Sequence, residues 1–246
     1  MNNKLIYLAR RADGISREDW PRAWKSHAIF AAKFPVAGAR IEWLRYCNRV
    51  DQPMLDGKPV DLPMLSTAHD GVANLNYGQN EPSLSPLPDD IRKQFETDEL
   101  RVFDMLVKNF AFPCTETPIR DGRPGKAALY LFLPRKTGIS RDSFKTRLDG
   151  EHAALARKSI DAIAGLTRHA HNHPVQELPA PFAFDAIVEI WFETNDAAVR
   201  ALSQGALDAI LKDIANFCNM DDAAILLTQP CHAWPPDKAL VHDPAA

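Results

Sequence analysis

Short apolar runs alternate with stretches whose apolar positions recur every three or four residues, and the chain passes through this order twice. Leu5 to Ala9 is a brief run of β-compatible residues and predicts a strand. Gly14 supplies the turn that follows, Ser16 stands where a helix N-cap is needed, and Glu18 and Asp19 suit the positive end of a helix dipole. Pro21 removes an early helical hydrogen bond, so the helix should begin a residue or two after Ser16. Trp20, Trp24, His27 and Ala31 then fall at spacings of four, three and four, along one helix face.

The same run returns as Leu129 to Phe132, Arg135-Lys136 in place of Arg10-Arg11, and Gly138-Ile139-Ser140-Arg141 in place of Gly14-Ile15-Ser16-Arg17. Phe144, Leu148, His152 and Leu155 make the second helix stripe. Gly14 and Gly138 lie 124 positions apart in a chain of 246 residues, so one unit is written twice.

Later segments fill out each unit. Ile41 to Tyr46 and Leu166 to His173 predict second strands, and Asp70 to Tyr77 and Phe184 to Phe192 predict third strands. Asp89 to Leu106 and Asn195 to Cys218 read as closing helices, and Ala224 to Thr228 as a last strand. Strand, helix, strand, strand, helix, strand is not a strict βαβα alternation, which predicts an α+β fold with helices on one face of a mainly antiparallel sheet. The units are expected over 1–121 and 126–236, joined through Asp121 to Gly125. Val50 to Leu65 and Gln79 to Asp90 are insertions that the second unit largely lacks, expected as lids, partner surfaces or decoration.

Composition narrows the function. With 46% hydrophobic and 25% charged residues the chain is ordinary for a globular protein. A formal charge of −3 offers no electrostatic footprint for nucleic acid or an anionic membrane. No run approaches the length of a membrane helix, and no signal-peptide pattern opens the sequence. Four scattered cysteines without CxxC spacing make a reducing cytoplasm the default expectation.

The candidate chemistry is imidazole and carboxylate. His27 and His152 sit on the buried helix stripes, while His169, His171 and His173 alternate along one strand and share a face. Such a row could share a metal ion or serve metal-free acid–base chemistry, and it could also be a polar strand end. Asp185 and Glu189 add carboxylates on a neighbouring strand. The first unit keeps Asp70 but has Asn74 and Asn76 where the second has Glu189 and Trp191, so the second unit carries the fuller ionisable set. No Gly-rich phosphate loop, HExxH, GxSxG or CxxC is present.

Gly-Ile-Ser-Arg, an acidic residue, an aromatic and a downstream histidine, with the strand ending Asn172-His173, resembles the EthD family of the dimeric α+β barrel superfamily. The resemblance spans roughly 4–120 and 127–234. It implies two tandem ferredoxin-like units forming an intramolecular dimeric α+β barrel, with a ligand cavity between sheet and helices in one or both halves. His27 and His152 match the family's helix histidine, and Arg45-Tyr46-Cys47-Asn48-Arg49 departs from the strand motif.

On this basis the chain is expected to be a lyase or isomerase without a cofactor or bound metal, acting on a hydrophobic small molecule, aromatic or polyketide-like. His152, His171 and His173, with His27 in the first half, would move protons. Asp185 or Glu189 would orient an imidazole, and Trp24, Trp191 and Tyr7 would line the apolar wall. A cofactor-independent monooxygenase and a non-catalytic ligand carrier are the alternatives, and pairing into a homodimer stays open.

Overall fold

A computed structural model describes residues 2–80 and 87–236, so part of the 79–90 insertion lies outside the described residues. The first repeat runs β1 (Asn2–Ala9), α1 (Trp20–Ala31), the short α2 (Pro35–Gly38), β2 (Trp43–Arg49), β3 (Met54–Leu55), β4 (Lys58–Pro59), β5 (Gly71–Gly78), α3 (Asp89–Val102) and β6 (Ala111–Arg120). The second runs β7 (Ala127–Leu133), α4 (Arg141–Arg147), a π-turn (Leu148–His152), α5 (Ala153–Ile160), β8 (Leu166–Pro174), β9 (Ala186–Phe192), α6 (Asn195–Ser203), α7 (Asp208–Phe217) and β10 (Ala224–Trp234). The predicted order of elements is therefore present in both repeats. Eight strands hydrogen-bond in the order β1-β5-β2-β10-β7-β9-β8-β6, a closed barrel, and the fold is the tandem α+β barrel.

By mutual contacts the chain forms two compact units. The first takes in the chain up to Arg49, Ala68–Cys114 and the stretch from Pro230; the second takes in Val50–Thr67 and Thr115–Gln229. β6 and β10 thus each contribute one end to either unit.

The repeats share a strand-to-helix staple. In unit 1 the Asp70 carboxylate accepts from the Arg11 backbone N–H at 2.9 Å and pairs with the Arg11 guanidinium. In unit 2 Asp185 accepts from the Arg135 N–H at 2.9 Å and pairs with the Arg135 guanidinium. Each aspartate is almost fully buried, so these charge-assisted bonds fix the exit of the first strand against the start of the third.

Unit 2 packs one face of its sheet on its helices. Leu129, Leu131 and Leu133 of β7, Val188, Ile190 and Phe192 of β9, and Ile225 and Leu227 of β10 form a single apolar cluster with Phe144, Leu148, Ile160, Ile210, Ile214 and Phe217. Each such side chain contributes about 1.5–3 kcal/mol on burial. The 50–65 insertion belongs here: Val50, Leu55, Val60, Leu62 and Leu65 pack against the same cluster. Its β3–β4 hairpin turns at Asp56-Gly57, both at positive φ as such tight turns require, and Arg200 on α6 holds Asp56 at 2.9 Å.

Three local expectations are corrected. Asn195 to Cys218 is two helices, because Gly205 at φ 78° lies in a left-handed turn that no α-helix continues through. Ser16 does accept from the Asp19 N–H at 3.0 Å, yet α1 starts at Trp20 with Pro21 in its first turn and Asp19 at its N-cap. Ala31 and Leu155 lie at the edges of their stripes, and Ala28 and Ala156 are the buried residues.

The π-turn has a sequence cause. Trp20 to His27 spans seven positions, and Phe144 to His152 spans eight. A π-turn takes one extra residue into a single wide turn. The longer copy thereby keeps His152 buried, as His27 is.

Asp185→Asn is expected to lower the unfolding free energy by about 1.5–3 kcal/mol, the range for a hydrogen bond to a charged group. Urea unfolding of the variant checks this, and unchanged stability would remove the staple from the account.

Candidate active site

β8 carries the imidazoles because its alternation sends every second side chain toward the helices of unit 2. His169 and His171 lie opposite Ile190 and Val188 of β9, both of which belong to the helix-facing core. Arg168, Ala170 and Asn172 lie opposite Trp191, Glu189 and Ile187, on the other face. His152 comes to the imidazoles from the π-turn, its ring centroid 5.6 Å from that of His171, and His169 lies 5.3 Å from His171 on the other side. All three rings are fully buried.

Carboxylates on the helices orient these rings. His152 Nδ1 meets Asp213 Oδ2 at 2.8 Å, and His171 Nδ1 meets Asp149 Oδ1 at 3.1 Å. His173 Nε2 also reaches Asp149, at 2.9 Å. Arg147 holds the other oxygen of Asp213 at 3.3 Å and lies over the Phe217 ring at 5.0 Å. The Nε2 atoms of His152 and His171, and both nitrogens of His169, are buried without a hydrogen-bond partner. Buried polar atoms in folded proteins are nearly always paired, so this concentration of partnerless nitrogens sets the unit 2 cluster apart from ordinary core packing.

Burial sets the protonation. Desolvation lowers the His152 pKa against the pull of Asp213, and lowers His171 to about 4 despite Asp149. His169 is driven well below the ordinary imidazole value, first by burial and then by its cationic and imidazole neighbours. Burial opposes ionisation of Asp149, but hydrogen bonds from His171 and His173 outweigh it and hold the carboxyl well below its usual range. Burial disfavours the imidazolium, so His152 and His171 each turn an Nδ1–H to a carboxylate and keep a lone pair at Nε2.

Unit 1 keeps the dyad and loses the rest. His27 Nδ1 meets Asp98 Oδ2 at 2.7 Å, with Arg101 on the other oxygen at 2.7 Å. Asp98 and Asp213 are 115 positions apart, as are Asp70 and Asp185. By that register Leu44, Tyr46 and Asn48 stand where unit 2 has His169, His171 and His173. Tyr46 stacks on Trp24 at 5.1 Å, and a Cβ at Gly71 would come within 2.3 Å of the Trp24 ring. Aromatic packing therefore fills the ground that ionisable groups hold in unit 2.

The other expected site residues lie apart from this cluster. Glu189 accepts from Arg168 Nε at 3.2 Å on the opposite sheet face, where Arg168 also pairs with Glu116. Asp185 serves the Arg135 staple. Neither orients an imidazole; Asp149 and Asp213 do, and sequence reading missed both. Trp191 packs edge-on to Tyr130 at 5.9 Å on the Glu189 face, while Trp24 and Tyr7 belong to the unit 1 core. Among the described residues no group of three or more His, Cys, Asp or Glu is placed to hold a metal ion. A surface depression of about 490 Å³ is lined by Asp142, Ser143, Thr146, Arg147, Gly150 and Glu151, so Arg147 joins it to the Asp213 carboxylate. Among the described residues no helix is long and apolar enough to cross a membrane.

Comparison with known proteins agrees with the fold. Residues 136–221, which contain the whole dyad and imidazole row of unit 2, match the EthD domain family. No curated protein matches the sequence. A candidate monooxygenase from Fusobacterium nucleatum is similar in structure, with TM-score 0.50 and 9% identity over 94% of this chain and 92% of that one. A candidate chlorite dismutase is similar with TM-score 0.52 and 10% identity, over 94% of this chain and 95% of that one. At such identities the likeness is one of fold.

Because His152, His169 and His171 bind protons less readily folded than at the unfolded value of about 6.5, stability is full above that pH and is lost as pH falls toward about 4. Each proton taken up on unfolding contributes a slope of about 1.4 kcal/mol per pH unit. Urea unfolding across pH 4–8 should show the decline beginning near 6.5, and a flat profile down to pH 4 would contradict the assignment.

Proposed function

We propose that the second unit is the active half of an acid–base enzyme of the lyase or isomerase type. Its substrate would be a hydrophobic small molecule, aromatic or polyketide-like. The observation that carries this reading is the pair of buried, aspartate-oriented imidazoles, His152 and His171, whose Nε2 atoms have no partner. An imidazole whose Nδ1–H is held by a carboxylate takes a proton on Nε2 as the carboxylate stabilises the resulting cation. The proton removed from carbon then passes to a leaving hydroxyl as water, or returns to a different carbon of the same molecule. Either route leaves the imidazoles neutral at the end of a turnover, and neither needs an external oxidant.

The apolar core around the rings, with Phe217 5.9 Å from His152, suits an aromatic or aliphatic skeleton. The His27–Asp98 dyad of unit 1, lacking imidazole neighbours, serves packing in this reading. A cofactor-independent monooxygenase is the second reading, drawn from what the Fusobacterium relative is described as. A ligand carrier would bind without changing its ligand.

The test incubates the purified chain with a panel of aromatic and polyketide-like compounds and follows product masses. Unchanged mass with a shifted double bond, or loss of water, supports the proposal; gain of oxygen supports the monooxygenase. His152→Ala and Asp213→Asn should lower kcat/KM by about 10²–10⁴-fold, with His27→Gln unchanged. Full activity in both unit 2 variants would overturn the assignment.

A further inference from the structure

Counting donors in the unit 2 cluster exposes an imbalance. A neutral imidazole has one N–H and one lone pair. His152 and His171 spend their N–H on Asp213 and Asp149, and Asp149 also meets His173 Nε2 at 2.9 Å. What His152 and His171 have left to offer is lone pairs. His169 differs: it is fully buried, and neither of its nitrogens has a hydrogen-bond partner. His169 therefore keeps an uncommitted N–H, and its ring lies next to His171, 5.3 Å away. An unpaired imidazole on a packed strand destabilises a fold, and unit 1 has a partly exposed Leu44 at the equivalent place.

We propose that His169 is a further catalytic residue, a neutral N–H donor to the carbonyl oxygen of an enolisable ketone whose α-proton is taken by a neighbouring aspartate-oriented imidazole. The proposal rests on the acid–base reading above and deepens it by naming the substrate class. In the step, the α C–H bond breaks and its proton goes to Nε2 of His171 or His152. The C–H electron pair becomes the new C=C bond, and the carbonyl π pair moves onto oxygen, where the His169 N–H stabilises the developing charge. Carbonyl oxygen and α-hydrogen are three bonds apart, a span that adjacent rings can bracket. Bases alone would take the proton but leave the oxyanion without a donor. Burial, which keeps His169 neutral, lets it polarise the carbonyl without surrendering a full proton.

The experiment uses the full chain and 2-tetralone, an aromatic ketone with acidic α-hydrogens, in deuterated water, with exchange followed by proton NMR. The wild type should accelerate exchange over buffer. His169→Leu should slow it by about 10²–10³-fold, the usual loss for one oxyanion donor, and His169→Asn, which restores an N–H, should recover part of the rate. Thermal unfolding supplies the readout that separates catalysis from packing, since His169→Leu should melt at or above the wild-type temperature. Wild-type exchange in His169→Leu, or a melting temperature well below wild type, overturns the proposal. Slow exchange in Asp213→Asn together with an unaffected His169→Leu overturns it while leaving the acid–base reading in place. No acceleration by the wild type overturns the ketone assignment, and the product-mass test then judges the broader reading by itself.

Discussion

The hydrogen bond from a buried imidazole Nδ1 to a helix carboxylate is the constraint on which the site depends. Burying an imidazole disfavours its charged form, and the Asp213 carboxylate at 2.8 Å from His152 Nδ1 fixes which nitrogen keeps the proton. Asp149 does the same for His171 and reaches His173 with the same carboxyl group. Basic nitrogens are thereby presented inside an apolar core near neutral pH, where an exposed imidazole would be partly protonated. Arg147 and Arg101 neutralise the far oxygens of Asp213 and Asp98, so each dyad is balanced within its own unit.

Duplication explains why two such dyads exist, and divergence explains why the one in unit 2 stands among further imidazoles. The Arg–Asp staple, the dyad and the helix stripe recur in both units. Around the His27 dyad the space is taken by Trp20, Trp24, Tyr46 and Phe103 in edge and stacked contacts. Trp24 demands Gly71 opposite it; Leu148 and Ala186 replace that large and small pair in unit 2. One inserted residue, absorbed as a π-turn, accompanies the arrival of Asp149 between helix and strand. Small changes of volume and one residue of length separate an aromatic core from a cluster of imidazoles.

Much of the architecture was legible. The repeated Gly-Ile-Ser-Arg motif and the apolar periodicities located the strands and the first helix of each unit, and the period of two set His169, His171 and His173 on a common face. The choice of face was not legible. β9 is buried on both sides, so its alternation separates Glu189 from Val188 without saying which side meets the helices. Glu189 and Asp185 were accordingly expected beside the imidazoles that Asp149 and Asp213 in fact hold. The register offset drops from 125 at His27 and His152 to 115 at Asp98 and Asp213, because the 50–65 insertion intervenes, and this shift hid the pairing of the two helix aspartates. Carrying the offset of Asp70 and Asp185 forward would have exposed it.

The protonation of the unit 2 imidazoles can be read directly from long-range nitrogen–proton NMR spectra of the ¹⁵N-histidine-labelled chain at pH 7. The account predicts His152 and His171 as neutral rings protonated at Nδ1 with bare Nε2. Imidazolium signals for these residues, or neutral rings protonated at Nε2, would contradict it.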